Sequence, residues 1–164
     1  ISLIHNSVAH SEDISMPNIK SIFHINVNVT NFERSLKFYE MLGFHVVRDF
    51  GEFGDPSLAH GLGAAECHGR AVLMILGDDL HATRLDLIEW KVPPTEGRPY
   101  AHLFHAGACR IALRTKTLRA DYEELKGRGV QFLSEPQMFN AQGTEAGFVC
   151  MTDPDGTVIE LLQV

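Results

Sequence analysis

Glu160 is the residue that most demands an explanation. It lies in the run GTVIELLQV, where side chains alternate and place it beside Val158 and Leu162 on one face. A carboxylate among apolar neighbours needs a cation, a metal ion or several hydrogen-bond donors, because leaving it unpaired is costly. Three other runs carry groups able to answer that need. In FHINVNV, His24, Asn26 and Asn28 share one face, and Phe23, Ile25, Val27 and Val29 form the apolar face that should pack on helices. In ACRIALR, Arg110 and Arg114 lie with Ala112, while Ile111 and Leu113 point inward. In ATRLDLIEW, Asp86 goes with Arg84, Ile88 and Trp90. An imidazole, two carboxylates and several guanidinium groups on strand faces can move a proton, hold an anion or bind a cation. Parity alone also allows the plainer reading, a sheet with one wetted face on which these groups do nothing.

The elements that must position these residues repeat. SIFHINVNVTNFERSLKFYEMLGFHV has a counterpart in ACRIALRTKTLRADYEELKGRGVQF, and sliding by 86 puts His24 on Arg110, Asn31 on Thr117 and Gly43 on Gly129. Each segment reads as strand, polar cap, amphipathic helix, glycine, strand. Asn31 can cap the first helix through its side-chain oxygen. Leu36, Tyr39 and Leu42 make its stripe, and Gly43 and Gly129 stand where a helix ends and positive φ is wanted. AVLMIL and ATRLDLIEW complete the first unit. AGFVCM and GTVIELLQV complete the second, joined by the turn Asp153-Pro154-Asp155-Gly156. Asp86 falls on Glu160 at an offset of 74, so the first unit carries about twelve extra residues, assigned to a long loop over 49–69. The expected organisation is an N-terminal extension over residues 1–17 and one domain over 18–164. Within it a first module (18–92) and a second (107–164) flank a proline- and glycine-rich linker (93–106).

The chain has 164 residues and a formal net charge of -7, with 45% hydrophobic and 21% charged residues. An acidic chain of ordinary composition gives no footing for nucleic acid, and no apolar run is long enough to suggest a membrane span. Cys67, Cys109 and Cys150 form no CxxC spacing, which points to a reducing, cytoplasmic setting.

FHINVNVTNFERSLKFYEMLGF and DPDGTVIEL, in that order and joined by the repeat, resemble the opening and closing segments of the vicinal oxygen chelate superfamily. This is the family of glyoxalases, bleomycin-resistance proteins and dioxygenases. The resemblance implies an α+β fold, two paired βαβββ modules whose mixed sheet curls around a cavity. It also implies a divalent metal held by one residue from the first and last strand of each module. Those positions fall on His24, Asp86, Arg110 and Glu160. Three are competent ligands, but Arg110 stands where the metal enzymes carry histidine. A guanidinium has no lone pair, and it repels a cation by about 4 kcal/mol per product of unit charges at ~4 Å and a dielectric near 20.

Two site designs follow from that departure. In the first, no cofactor is present. Arg110 replaces the metal's charge, bonds Asp86 or Glu160, and completes a cluster with His24 that orients a small polar or anionic ligand. Asn26, Asn28, Arg84, Arg114 and Trp90 would line the cavity. In the second, His24, Asp86 and Glu160 hold zinc, nickel, manganese or iron and the chain is a glyoxalase-type lyase or isomerase, less readily an extradiol dioxygenase. If the metal-free site is an enzyme, His24 or Glu160 serves as general base and Arg110 stabilises an enolate. His102 and His105 lie near Arg110 and can in principle supply the missing imidazole. The resemblance further implies a homodimer.

Overall fold

The computed structural model describes residues 18–100 and 102–164; the expected extension over 1–17 lies outside them. Two mixed sheets are present and neither closes on itself. The first contains β1 (His24–Asn28), β2 (Phe44–Phe53), β3 (His68–Leu76) and β4 (Arg84–Val92) in the order β1-β4-β3-β2. The second contains β5 (Ile111–Thr115), β6 (Gln131–Phe132), β7 (Gln137–Ala141), β8 (Thr144–Thr152) and β9 (Val158–Gln163), ordered β5-β9-β8-β6 with β7 also on β8. In each sheet the opening strand runs parallel to the closing one and the other pairings are antiparallel. The register repeats as well: Asn26 lies opposite Asp86, and its counterpart Ala112 lies opposite Glu160.

Helix α1 (Phe32–Met41) starts as its sequence demands, with the Asn31 side chain accepting a bond from the Arg34 amide. It ends at Gly43, whose φ of 95° belongs to the left-handed region. In helix α3 (Leu118–Gly127) the Thr117 side chain caps no backbone amide; its hydroxyl donates instead to the Asp121 carboxylate. A different device serves both helices. Glu89 accepts from the Phe32 amide at 3.0 Å, and Gln163 accepts from the Leu118 amide at 2.9 Å. Each closing strand therefore caps the helix of its own unit. The buried core runs through both units, with Val29, Tyr39, Met74 and Leu87 from the first and Leu118, Val149, Met151 and Ile159 from the second.

Two expectations need correction. Residues 49–69 are not one long loop: β2 continues to Phe53, and Asp55 caps a short helix α2 (Pro56–Gly61) through the amides of Ser57 and Leu58. Aspartate followed by proline is itself a helix-start signal. Val27 and Val29 are buried as expected, but Phe23 and Ile25 are 58% and 38% exposed, because β1 is an edge strand among the described residues.

The units meet where the second unit's turn grips the first unit's helix. Asp155 accepts from the Thr30 amide at 3.1 Å and pairs with Arg34 at 2.7 Å; buried Asp153 accepts from the Tyr39 hydroxyl at 3.0 Å. No described helix is long and apolar enough to cross a membrane.

Candidate functional site

The four chemistry-bearing residues sort into two pairs, one on each sheet, and do not form a single cluster. On the second sheet Arg110 donates from Nε to Glu160 Oε2 at 2.5 Å. Glu160 is buried and its carboxylate sits among β-strand side chains, while half of the Arg110 side chain reaches solvent. This is the cation that the apolar surroundings of Glu160 require. Across the ladder from Glu160 lies Cys150, whose thiol is pushed up by burial and by the Glu160 charge, against which Arg110 works. A thiol held protonated is a poor nucleophile.

On the first sheet, His24 Nε2 stands 3.9 Å from Asp86 Oδ2, with His24 more exposed than its partner. Burial raises the Asp86 pKa and the nearby imidazole only partly opposes it. Asn26 donates from Nδ2 to the Asp86 carbonyl at 3.2 Å. The expected four-membered cluster is thus corrected: the parallel pairing inside each sheet joins His24 to Asp86 and Arg110 to Glu160, and the two sheets are not hydrogen-bonded to one another along the chain.

That arrangement bears on the metal the resemblance implies. Among the described residues no three histidines, cysteines or carboxylates gather closely enough to hold an ion. His24 and Asp86 offer two donors, and the Glu160 oxygen that would complete the set is engaged by a guanidinium. Within one chain these residues do not fit a metal ion. His102 and His105 do not supply the missing imidazole: they stack on one another at 4.4 Å in the linker, with Tyr100 against His105.

Of the remaining expected ligand-binding residues, Asn26, Asn28 and Trp90 line one cleft of about 580 Å³ between the first sheet, the linker and the β8–β9 turn. Trp90 Nε1 donates to Asn28 Oδ1 at 3.0 Å. Arg84 serves locally, bonded to the Leu80 carbonyl at 2.7 Å and lying over the Phe23 ring. Arg114 is exposed on the second sheet. Sequence reasoning passed over Arg98, on the cleft wall, and the cap formed by Glu89. Arg98 lies in a segment without period, so no pattern marks it. Glu89 had a signal, since the repeat aligns it with Gln163.

Comparison with known proteins agrees with this architecture. The family model described as Glyoxalase/Bleomycin resistance protein/Dioxygenase superfamily matches residues 21–161. No curated protein matches the chain. Among solved structures, a glyoxalase family protein of Bacillus cereus is 15% identical with a TM-score of 0.78, over 91% of this chain and 98% of that one. Glyoxalase I of Leishmania major, described as trypanothione-dependent, is 23% identical with a TM-score of 0.59, over 88% and 87%. TnmS3, an antibiotic binding protein from a Streptomyces species, is 26% identical with a TM-score of 0.58, over 90% and 98%. With most of both repeats inside the matched span, the chain belongs to the glyoxalase, bleomycin-resistance protein and dioxygenase superfamily.

Proposed function

We propose that this protein binds a small polar or anionic molecule in a cavity whose ancestral metal position has been converted to an ion pair. The observation that carries the reading is the 2.5 Å contact between Arg110 and Glu160. A guanidinium bonded to the one buried carboxylate of the set supplies the positive charge there permanently, since a guanidinium keeps its proton and offers only donors. A metal at the same oxygen would have to displace that bond and then sit beside the displaced charge. The relation to an antibiotic binding protein supports sequestration of a ligand over its turnover. The three free cysteines suit a reducing cytoplasm.

The same reading includes a homodimer. Among the described residues β1 and β5 are both open sheet edges, and Phe23 and Ile25 are exposed at the first. A second copy laid along these edges would bring the His24–Asp86 pair of one chain toward the Arg110–Glu160 pair of the other.

Metal titration of the Arg110→His variant tests the proposal. The parent should bind no zinc, nickel or manganese at stoichiometry after purification without chelator. The variant should bind one per assembled site, because an imidazole replaces the repelling cation and frees Glu160. Tight metal in the parent, removed by EDTA with loss of activity, would overturn the reading in favour of a lyase or isomerase.

A further inference from the structure

The cleft beside Trp90 carries more chemical information than its polar lining suggests. Trp90 is the single tryptophan of the chain, and five contacts fix its position. Its indole Nε1 donates to Asn28 Oδ1 at 3.0 Å. Its backbone amide donates to Thr95 Oγ1 at 3.0 Å, and its carbonyl accepts from the Thr95 amide at 3.1 Å, which folds the linker back onto it. Phe53 meets the ring edge-on at 5.4 Å. Beneath the ring lies Gly69 of the paired strand, where an added Cβ would come within 3.2 Å of Trp90 Cε3 and 2.8 Å of the Glu89 carbonyl. The indole therefore packs close to the Gly69 backbone, where any larger residue would crowd it. A ring held this firmly, yet still lining a cleft, is a preorganised wall.

The Asn28 amide is oriented by the same contact. An indole N–H is a donor only, so the oxygen of Asn28 must face it and the amide nitrogen must face elsewhere. Asn28 lines the cleft, so its Nδ2 hydrogens are offered to whatever occupies it. Arg98 lines the same cleft from the linker and, among the described residues, makes no ion pair. Glu96 lies beside it and keeps the mouth from being strongly positive. Asp155, also on the wall, is neutralised by Arg34.

We infer that the ligand is a planar aromatic molecule bearing an oxygen acceptor, a carboxylate in preference to a neutral carbonyl. Its ring packs against Trp90, and the oxygen accepts from Asn28 Nδ2 within reach of Arg98. The inference rests on the binding role proposed above but not on the fate of the Arg110–Glu160 position.

The single indole N–H resonance of the ¹⁵N-labelled protein reports on this cleft alone. Titration with 2-naphthoate should shift it saturably, with affinity confirmed by calorimetry. Cyclohexanecarboxylate should bind at least roughly tenfold more weakly, having no π-face. The neutral 2-naphthamide should bind only a few-fold more weakly, because Glu96 tempers Arg98. Asn28→Asp keeps an acceptor for the indole and replaces the donor by a charge. It should leave the fold intact and weaken naphthoate by roughly tenfold or more, as a lost hydrogen bond plus repulsion requires. Arg98→Gln should cost a few-fold. No indole shift at millimolar naphthoate, equal binding of the aliphatic acid, or an unaffected Asn28→Asp variant would overturn the aromatic class. None of those results alters the metal titration of Arg110→His, so the two proposals fail separately.

Discussion

The two repeats solve the same placement problem with different chemistry. In both, the opening and closing strands run parallel in the same register, and a carboxylate on the closing strand faces a cationic or basic side chain at the start of the opening one. In the second repeat the pair is a guanidinium in direct contact with a buried carboxylate. In the first it is an imidazole standing 3.9 Å from an aspartate whose pKa burial raises. One pair is a direct contact; the other is a longer one whose carboxyl is shifted upward by burial. The shorter aspartate accounts for part of the gap, since it falls one methylene short of what glutamate reaches. The difference shows that duplication preserved the backbone register while the chemistry at the equivalent positions diverged.

Removing the basic side chain from each repeat should give the largest contrast. Arg110→Ala strands a buried carboxylate. Loss of one partner of a fully buried pair costs 3–5 kcal/mol, and the half-exposed guanidinium lowers that to about 2 kcal/mol. His24→Ala removes a long, partly solvated contact and should cost under about 0.5 kcal/mol. Urea denaturation of both variants at neutral pH measures this. Equal losses would mean that the two pairs carry the same weight and that the proposed specialisation of the second is mistaken.

Acid sharpens the comparison through two aspartates shifted in opposite directions. Burial alone would raise Asp155, but bonds from Thr30 and Arg34 outweigh it and hold its pKa below the usual carboxylate value. Its contribution is therefore present above the unfolded value of about 3.9 and lost as pH falls through the lower folded value. Asp86 is raised by burial, so its contribution is full below about pH 3.9 and lost as pH rises through the folded value. Asp155→Asn should cost about 1–2 kcal/mol at pH 7, through weakened bonds to Thr30 and Arg34, with the loss shrinking toward pH 3. Asp86→Asn should be neutral or stabilising at pH 7, and any advantage should vanish on acidification. Parallel pH profiles for the two variants would contradict these assignments.

Much of this was legible because the repeat constrains it. The correspondence of Asp86 with Glu160 and of His24 with Arg110 follows from two offsets, and the offsets reappear in the cap bonds. Glu89 reaches back 57 residues to Phe32 and Gln163 reaches back 45 to Leu118, a difference of twelve that equals the extra length of the first unit. The positive φ of Gly43 and Gly129 was readable from helix ends that no side chain can continue. What escaped was set by tertiary placement. Alternation told which way Phe23 and Ile25 point but not that the described residues leave them partly exposed. The turn Asp153-Pro154-Asp155-Gly156 was readable as a turn, yet its grip on Thr30, Arg34 and Tyr39 depends on how the repeats dock. His24 and Glu160 fall in separate pairs, where the family resemblance had placed them in one cluster.

The smallest effect concerns the caps themselves. Glu89 places a carboxylate at the N-terminus of α1, where the helix dipole favours negative charge, and Gln163 offers α3 only a neutral oxygen. Glu89 is also bonded to Lys91 at 2.6 Å, so part of its charge is already balanced. Glu89→Gln would make the first cap like the second, keeping an acceptor of the same length while losing the charge-assisted part of the bond. The expected loss is about 0.5 kcal/mol, read as a small drop in the urea midpoint with an unchanged slope. Added salt should weaken the parent more than the variant, since only the parent's cap is charged. A loss of about 2 kcal/mol or more would mean that Glu89 does more than cap, for instance that it holds β4 against α1 and so sets where Trp90 and Asp86 lie on the neighbouring face.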